Sequence, residues 1–521
     1  MQTSGTRYIL QGRVSADSRL AKLVPDFNLV VESVTRHSAG YLDTFDWRLY
    51  EGDRELHIEF GRRTTDLSLR ERGRRRELLS ASCRRLPRFA SALPRGRLRD
   101  ALASITGVRA LLPIVRVSYT ERLVRVLNAD KKTVTRLRIF FQSRAAKEEH
   151  DRKEKLPDIV EVVPVLGYEK ETEQLCTALE EAGLKEVDDD LLHLALAAVG
   201  REPLDYSSKP SIILDRGMTM DDALRTVLIN LSRAMRANEP GMLGDVDIEF
   251  LHDYRVANRR TRSVISQFKK GISATVLRSF RPGFKWLGKV TGPTRDADVY
   301  LENVDGYRAD LPDEVAEQLL PLREFLERKR ERGYKLMVRS LRTKRYKHLL
   351  AKWESMLLRT DVSGTGRLHK PVPVVPMVSA RIWRVYRLII RQGRAIGPAT
   401  PATALHNLRL VCKNLRYLLE IFRSLYPADA ITMLISELRM LQNNLGDIQD
   451  LEVQRLALEG FAQEMLAEGP VASGTVMAMG RLAAGLEKRQ RAAREDFTDI
   501  FGRFARKKNR RAFRTLFRDQ R

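Results

Sequence analysis

Alternating or continuous apolar runs of strand length occur throughout the first 200 residues. Two segments with helical spacing, 171–182 and 188–198, interrupt them, and Gly183 stands where a helix would end. The apolar runs are rich in β-branched and aromatic residues, which favours strands. The predicted strands lie at 8–10, 29–31, 55–60, 114–119, 135–141 and 158–163. This part of the chain therefore predicts an α+β domain.

The pattern changes at residues 201–209, where Pro, Ser and charged residues form a segment typical of a linker. Beyond it, almost every segment has the spacing of an amphipathic helix. A second break, 361–377, is rich in Gly and Pro and divides the helical region in two. The predicted domains are 1–205 and 212–521, and the halves of the second are about 212–360 and 373–521.

The two helical halves repeat one another at a constant offset of 154 residues. His252 and Arg255 of the first half recur as His406 and Arg409 of the second. The same offset relates Arg233 to Arg387, Leu287 to Leu441, Gly292 to Gly446, Asp296 to Asp450 and Val299 to Val453. Because the offset holds over more than 60 residues, chance matching is a poor explanation, and two related halves are expected.

Each half carries a stripe of basic residues on one predicted helix. Positions i, i+3, i+7 and i+10 of an α-helix lie within an arc of roughly 80° and rise about 15 Å along the axis. The stripes are His252, Arg255, Arg259 and Arg262; His406, Arg409, Lys413 and Arg416; and, on another helix, Arg384, Arg387, Arg391 and Arg394. Packed about a pseudo-twofold axis, these stripes would line a long cationic groove.

A row of guanidinium groups suits a repeating phosphate chain better than a single small anion, because each group binds phosphate oxygens through paired hydrogen bonds. Histidine at the head of each stripe would tighten binding as the pH falls through its titration range. That hypothesis fails if affinity stays flat between mildly acid and mildly alkaline buffer. A single charged stripe is usually a solvated helix face, and a single histidine can merely join helices, but the duplication favours binding.

The charge balance points to the same kind of partner. Lys and Arg total 93 against 67 Asp and Glu, a formal net charge of +26, and such an excess repels itself unless an anion neutralises it. Cys83, Cys176 and Cys412 have no paired spacing, so a reducing compartment is expected. With no secretory leader and no apolar window of membrane-spanning length, we predict a cytoplasmic protein.

Four aspartates and four aromatic residues admit two interpretations each. The aspartates lie in segments that resemble turns, beginning at Gly292 and Gly446, and they fit arginine partners or helix caps better than metal ligands. They are Asp296, Asp298, Asp447 and Asp450. The aromatic residues lie at apolar helical positions and fit a core better than stacking platforms for bases. They are Trp286, Trp383, Tyr417 and Phe422.

Four motifs in this order resemble the CHAD domain, the conserved histidine α-helical domain. They are HDYRVANRRTR from His252, GPTRDADV from Gly292, LHNLRLVCKNLRYLLE from Leu405 and LGDIQD from Leu445. The resemblance spans roughly residues 214–517. It implies an all-α domain of two antiparallel four-helix bundles related by a pseudo-twofold axis, with a basic channel that binds inorganic polyphosphate, often on polyphosphate granules. It implies no catalytic residue, metal or cofactor.

The expected polyphosphate-binding residues combine the stripes with neighbouring cations. They are Arg233, His252, Arg255, Arg259, Arg260, Arg262, Lys285, Lys289, Arg295, Arg387, His406, Arg409, Lys413 and Arg416.

The N-terminal region resembles the CYTH domain, a triphosphate tunnel fold that commonly precedes a CHAD domain. YLDTFDWRL from Tyr41 is similar to that family's Tyr-x-Asp-Thr-x-Asp-x-x-Leu stretch, and Glu161, Gly167 and the following helix resemble its late strand and helix. The resemblance implies a sheet closed into a tunnel or barrel.

Active CYTH domains open with Glu-x-Glu-x-Lys, whose carboxylates hold a divalent metal against a triphosphate. Here the best register gives Ile9, Gln11 and Arg13, and Val163 stands where a second late acid would help Glu161. We therefore predict a degenerate domain without triphosphatase or cyclase activity. Six arginines remain as alternative anion contacts or solvated strand residues: Arg62, Arg63, Arg70, Arg72, Arg116 and Arg122.

Three alternatives stay open. In the first alternative, the N-terminal domain is a metal-dependent triphosphatase, and the helical domain supplies it with polyphosphate. The protein binds nucleic acid non-specifically through its charge, although no helix-turn-helix, RNA-recognition aromatic pair or basic zipper region is found. The protein coats granules as a structural component, which is compatible with polyphosphate binding. No membrane partner is expected.

Overall fold

The computed structural model describes residues 5–10, 24–72, 77–147, 151–208, 212–268, 274–309, 311–358, 372–397 and 400–519. The chain divides into two compact units, residues 1–208 and 209–521. Within the described ranges, no helix combines the length and apolarity that crossing a membrane requires.

The first unit is built on one antiparallel sheet. Its strands are β1 (Thr6–Leu10), β2 (Asn28–Asp43), β3 (Arg54–Phe60), β4 (Thr65–Glu71), β5 (Glu77–Cys83), β6 (Leu112–Leu127), β7 (Thr133–Ala146), β8 (Glu154–Lys155), β9 (Asp158–Pro164) and β10 (Lys185–Glu186). Their order across the sheet is β10, β1, β9, β7, β6, β2, β3, β4, β5, and β8 pairs with β7. All six predicted strands are confirmed, as parts of β1, β2, β3, β6, β7 and β9. Closure of the sheet into a tunnel stays a prediction.

Among the described residues of this unit, four α-helices accompany the sheet: α1 (Arg48–Glu51), α2 (Arg97–Thr106), α3 (Glu169–Glu181) and α4 (Leu191–Ala198). The two predicted helices are α3 and α4. Gly183, just beyond α3, has φ 86°, the left-handed conformation that glycine adopts most easily. The Asp190 side chain caps α4 by accepting a hydrogen bond from the backbone N–H of His193, which explains why that helix begins at residue 191.

The motif that begins at Tyr41 has a structural role here. The buried Asp43 carboxylate accepts hydrogen bonds from the backbone N–H groups of Thr44, Leu49 and Tyr50 at 2.7, 2.9 and 2.9 Å. These bonds fix the chain where β2 gives way to α1. Burial raises the pKa of Asp43 to about 6, and the three hydrogen bonds oppose that rise.

The second unit is helical, with no strand among its described elements. Its α-helices are α5 (Met220–Leu243), α6 (Ile248–Gln267), α7 (Ala274–Val290), α8 (Gly292–Ala309), α9 (Asp313–Glu317), α10 (Leu320–Leu341), α11 (Lys344–Leu358), α12 (Val374–Arg394), α13 (Ala402–Ile421), α14 (Ala428–Glu468), α15 (Ser473–Glu495), α16 (Phe497–Phe504) and α17 (Lys507–Phe517). A sheet-rich unit followed by a helical one confirms the predicted fold class. The assignment of four helices to each bundle stays a prediction.

Residues related by the 154-residue offset contact each other in the second unit. The rings of Phe268 and Phe422, both buried, meet edge to face with their centroids 5.5 Å apart. One recess of about 540 Å³ is lined by Asp296 together with Asp450. Equivalent residues of two copies meet only near the axis that relates the copies, so these contacts support the predicted pseudo-twofold relation.

The segment at Gly446 is helical, so its predicted turn is wrong. Gly446 and Asp447 lie inside α14, a single helix of 41 residues. Its counterpart in the first half is a pair of helices, α7 and α8, separated only by Thr291. The residue equivalent to Asp447 is Pro293, which has no N–H to donate into the preceding turn. Glycine and aspartate alone do not stop a helix whose apolar face stays buried.

Candidate polyanion-binding site

The helices that carry the two His and Arg stripes, α6 and α13, lie against each other. The Ser263 hydroxyl donates to Asn414 Oδ1 at 3.3 Å. The Arg260 guanidinium donates to the Glu420 carboxylate at 3.1 Å. These contacts join the first half of the helical unit to the second.

A cavity of about 580 Å³ lies beside this crossing. Five cationic side chains line it, and the lining contains no carboxylate among the residues that the structure describes. They are Arg259 and Arg262 from α6, Arg281 and Lys285 from α7, and Lys413 from α13. Three helices from both halves therefore direct positive charge at one space, which we call the central cavity.

Lys413 shows how strongly these charges act on one another. The pKa of Lys413 is lowered to about 8, first by burial and then by the charges of Arg409, Arg259 and Arg416, whereas Asp450 opposes the shift. Arg259 belongs to the first half and lies close enough to perturb a lysine of the second. A nearby anion would relieve this repulsion.

Arg255 and Arg409 occupy equivalent positions, and hydrogen bonds hold both guanidinium groups, but the partners differ. Arg255 Nη1 donates to the Gly288 carbonyl at 3.1 Å and to the Thr291 hydroxyl at 2.9 Å. Arg409 Nη2 donates to the Asp450 carboxylate at 2.8 Å. Burial lowers the pKa of Arg255, and Asp296 partly offsets this effect.

The repeated glycines lie against these guanidinium groups. A Cβ atom at Gly292 would be 3.7 Å from Arg255 Nη1, and one at Gly446 would be 3.9 Å from Arg409 Nη2. A methyl group at either position would be in ordinary van der Waals contact with the guanidinium group.

The aspartates behave as arginine partners in two cases. Asp450 pairs with Arg409, and the buried Asp298 accepts from Arg330 Nε at 2.6 Å. Arg330 also pairs with Asp245 and does not belong to the stripes. Asp447 is exposed on α14. Among the described residues, no cluster of His, Cys, Asp and Glu is suited to a metal ion.

Both histidines belong to the stripes but lie outside the lining of the central cavity. His406 is exposed, with Nδ1 3.0 Å from Gln449 Oε1. His252 is half-buried on α6. Whether they act on bound phosphate stays a hypothesis.

The remaining predicted residues divide into paired and peripheral cations. Arg260 and Arg416 both contact Glu420, and Arg295 pairs with Glu302 at 3.6 Å. Arg233 is exposed on α5 and Lys289 is exposed at the end of α7.

Two arginines depart from the sequence-based picture of the groove. Arg387 lines a different cavity, between α12 and α17, so its stripe does not line the central one. Arg281 lines the central cavity but was not predicted. It precedes Lys285 by four residues on α7, and this spacing on one helix face was the available signal.

The aromatic predictions are half correct. Tyr417 and Phe422 are buried, as expected for core residues. Trp286 and Trp383 are only half-buried. The Arg345 guanidinium carbon lies 4.4 Å from the centre of the Trp286 ring, a cation–π contact at the surface.

The candidate carboxylate of the first unit is already paired. Buried Glu161 forms ion pairs with Arg7 at 3.2 Å and with Arg138 at 3.4 Å. Ile9 lies in β1, whereas Gln11 and Arg13 lie outside the described residues.

The six arginines named as alternative anion contacts in this unit have varied surroundings. Arg72 pairs with Asp53. Arg116 and Arg122 lie over aromatic rings, those of Phe60 at 4.4 Å and Phe141 at 5.4 Å. Arg62 and Arg63 are exposed, and Arg70 is half-buried on β4. The structure therefore does not gather these six arginines into one described site.

Comparison with known proteins identifies the helical region. The family model described as the CHAD domain matches residues 226–459. Residues 226–459 thus form a CHAD domain, as the motifs predicted. Because the match covers both α6 and α13, the central cavity lies between segments of that domain.

Two curated relatives, both uncharacterized proteins from strains of Mycobacterium tuberculosis, are 27% identical over 235 residues. The match covers 43% of this chain and 42% of each relative. The chain thus matches less than half the length of these relatives.

Three solved structures show weaker likeness. The CHAD domain from the plant Ricinus communis is 23% identical, with a TM-score of 0.46 over 55% of this chain and 95% of that one. PptA from Streptomyces chartreusis is 15% identical, with a TM-score of 0.43 over 54% of this chain and 99% of that one. A putative adenylate cyclase from Bacillus halodurans is 15% identical, with a TM-score of 0.23 over 35% of this chain and 91% of that one.

Proposed function

We propose that this protein binds inorganic polyphosphate through the central cavity of its CHAD domain. One observation carries the proposal: five cations from α6, α7 and α13 line one space whose described lining has no carboxylate. A chain of phosphates supplies a negative charge at each repeat, so it matches a row of guanidinium and ammonium groups along its length.

The state of Lys413 supports an anionic ligand. Its pKa of about 8 means that part of the population is neutral at physiological pH. A phosphate chain beside it would raise that pKa and restore the full charge. Binding is then coupled to proton uptake, which a neutral ligand would not produce.

The form of the site favours a single phosphate chain over duplex DNA. Proteins usually bind duplex DNA by placing a helix or strand in a groove, whereas these cations surround a recess. Non-specific attraction of nucleic acid to the net charge remains as a weaker, salt-sensitive background.

The test measures binding of labelled long-chain polyphosphate at near-physiological salt, with duplex DNA as competitor. We expect tight binding that DNA at equal phosphate concentration does not displace and that R259A/K413A weakens at least tenfold. The matched control R481A/K488A removes the same charge from exposed positions on α15 and should bind like the wild type. Equal loss in both variants, or equal competition by DNA, would refute the proposal.

Association with polyphosphate granules extends the same proposal. Granules present phosphate chains at high density, so many CHAD domains can be retained on one particle. In cells that form granules, a fluorescent fusion should follow the granules, and R259A/K413A should become diffuse.

The first unit has no catalytic part in this proposal. Because Glu161 is already held by two arginines, the absence of triphosphatase activity stays our prediction. Hydrolysis of inorganic triphosphate with Mg²⁺ or Mn²⁺, well above that of the E161Q variant, would contradict it.

A further inference from the structure

A second cationic cavity, of about 940 Å³, lies between α12 and α17. Five arginines line it together with Trp383, Tyr386, Ile390 and Ala395. The arginines are Arg387, Arg391 and Arg394 of α12, Arg510 of α17, and Arg518 just beyond that helix. None of these residues lines the central cavity, so we treat this as a separate site and call it the outer cavity.

The arginines of the outer cavity are not neutralised. Across the part of the chain that the structure describes, none of the five forms an ion pair with a carboxylate. All five side chains are exposed. Like charges gathered at one cavity repel each other, and an anion removes the repulsion.

One wall of the outer cavity is aromatic and well supported. The ring of Trp383 stacks on that of Tyr386, with centroids 5.6 Å apart and planes 30° apart. Tyr386 stacks in turn on Phe513, with centroids 4.0 Å apart and planes 14° apart. Trp383 is half-buried, so this stack holds an indole at the edge of the cavity.

The Tyr386 side chain also has a hydroxyl group that forms no described hydrogen bond. The residue is 2% exposed and lines the cavity, and its buried hydroxyl has no hydrogen-bond partner among the described residues. A buried hydroxyl without a partner is costly. Burial raises the pKa of Tyr386 to about 12, against the effect of Arg510 and Arg394, so the hydroxyl stays protonated and able to donate.

The first half of the CHAD domain shows that the fold does not require this arrangement. At the offset of 154 residues, α5 has Ile229 for Trp383, Ser232 for Tyr386 and Ala237 for Arg391. Its Arg236, equivalent to Ile390, is neutralised by both Glu354 and Glu239. Among the described residues, these equivalent positions of the first half therefore lack the combination of unneutralised arginines with an aromatic wall.

We propose that the outer cavity binds a nucleoside polyphosphate, with the base against Trp383 and the phosphates among the arginines. Bare polyphosphate has no apolar part and would leave the aromatic wall unused. A base stacks on an indole whatever its hydrogen-bonding pattern, while guanidinium groups bind the phosphates. The site does not depend on the proposed function of the central cavity, because the two share no residue.

The test compares ATP with inorganic triphosphate, which has a similar charge and no base, by calorimetry and tryptophan fluorescence on the full chain. The wild type should bind ATP about tenfold more tightly than triphosphate, as expected for one stacked base. W383I installs the residue of the first half and should lower ATP affinity to that of triphosphate, with triphosphate unchanged. R391A, also the residue of the first half, should weaken both about tenfold.

The central-cavity variant R259A/K413A is the matched control and should bind ATP like the wild type. W383I should bind long-chain polyphosphate like the wild type, so failure of one site is distinguishable from failure of the other. Equal wild-type affinity for ATP and triphosphate would overturn the assignment of a nucleoside ligand. Loss of ATP binding in R259A/K413A would also overturn it. So would a single-stranded RNA that binds more tightly than ATP and loses this binding in W383I.

Discussion

The two halves of the CHAD domain agree where α6 meets α13 and differ between α5 and α12. Both α6 and α13 carry the His and Arg stripe, and Arg259 and its equivalent Lys413 line the same cavity. In contrast, α12 carries Trp383 and Arg391 where α5 carries Ile229 and Ala237. The equivalent pair Arg259 and Lys413 thus contributes to the central cavity from both halves, whereas Trp383 and Arg391 line the outer cavity at positions where the first half has other residues.

The largest expected effect concerns the axis itself. If Phe268 and Phe422 are true structural equivalents, F268A and F422A should each lower the free energy of unfolding by about 3–5 kcal/mol, because both rings are buried. The double variant should lose less than the sum, since each single change already removes their mutual contact. Urea unfolding measures this, and strictly additive losses would break the equivalence.

The next effect concerns binding at the central cavity. Arg259 and Lys413 are equivalent and line the same space, so R259A and K413A should each weaken polyphosphate binding by about tenfold or more, the loss expected for one charged hydrogen bond. Titration of labelled polyphosphate at fixed salt gives both values. A loss in only one variant would show that a single half does the binding.

A smaller contrast is expected at Arg262 and Arg416, which are also equivalent. Arg262 lines the central cavity, whereas Arg416 lies 3.6 Å from the Glu420 carboxylate. R262A should therefore weaken binding about tenfold and R416A about twofold. E420Q, which releases both Arg260 and Arg416, should strengthen binding in the same titration, and a weaker complex would contradict this account.

The last expected effect is on the pH dependence of binding. Because the pKa of Lys413 is lowered to about 8, the residue loses its charge as the pH rises from 7 to 9, and affinity should fall about three- to tenfold over that range. Arg259, Arg409, Arg416 and Asp450 are the charged groups that shift this pKa. K413R keeps its charge and should flatten the profile, and an unchanged slope would exclude Lys413 as its source.

The two histidines are tested separately from Lys413. If they contact bound phosphate, H252A/H406A should weaken polyphosphate binding in the same titration while the slope near pH 8 is retained. Unchanged affinity in H252A/H406A would remove the histidine hypothesis.

The sequence was sufficient to predict the strands and the helical region, because each left a periodic signal, whereas the pseudo-twofold relation between the halves stays a prediction. It predicted the stripes on α6 and α13 for the same reason. It was insufficient at Gly446 and Asp447, where local turn preference competes with a helix face that stays buried within α14. Only the packing shows which effect is stronger.

The sequence also could not predict which residues line the central cavity and which lie outside it. A helical stripe gives the direction of side chains but not the neighbour that they face. Arg387 shares its spacing with the other stripes, yet α12 packs on α17 and directs it to the outer cavity. Arg281 was missed because its role depends on α7 lying beside α6.

The meeting of Phe268 with Phe422 has a consequence for how the sequence can vary. A surface that contacts its own copy is isologous, so in a dimer of separate identical chains every substitution would be made twice. Joining both copies in one chain removes that obligation and lets either half change alone. Residues that contact their own equivalents, such as Phe268 and Phe422, remain constrained by that contact. The outer face of α12 has no such constraint, so its residues can change independently of those on α5.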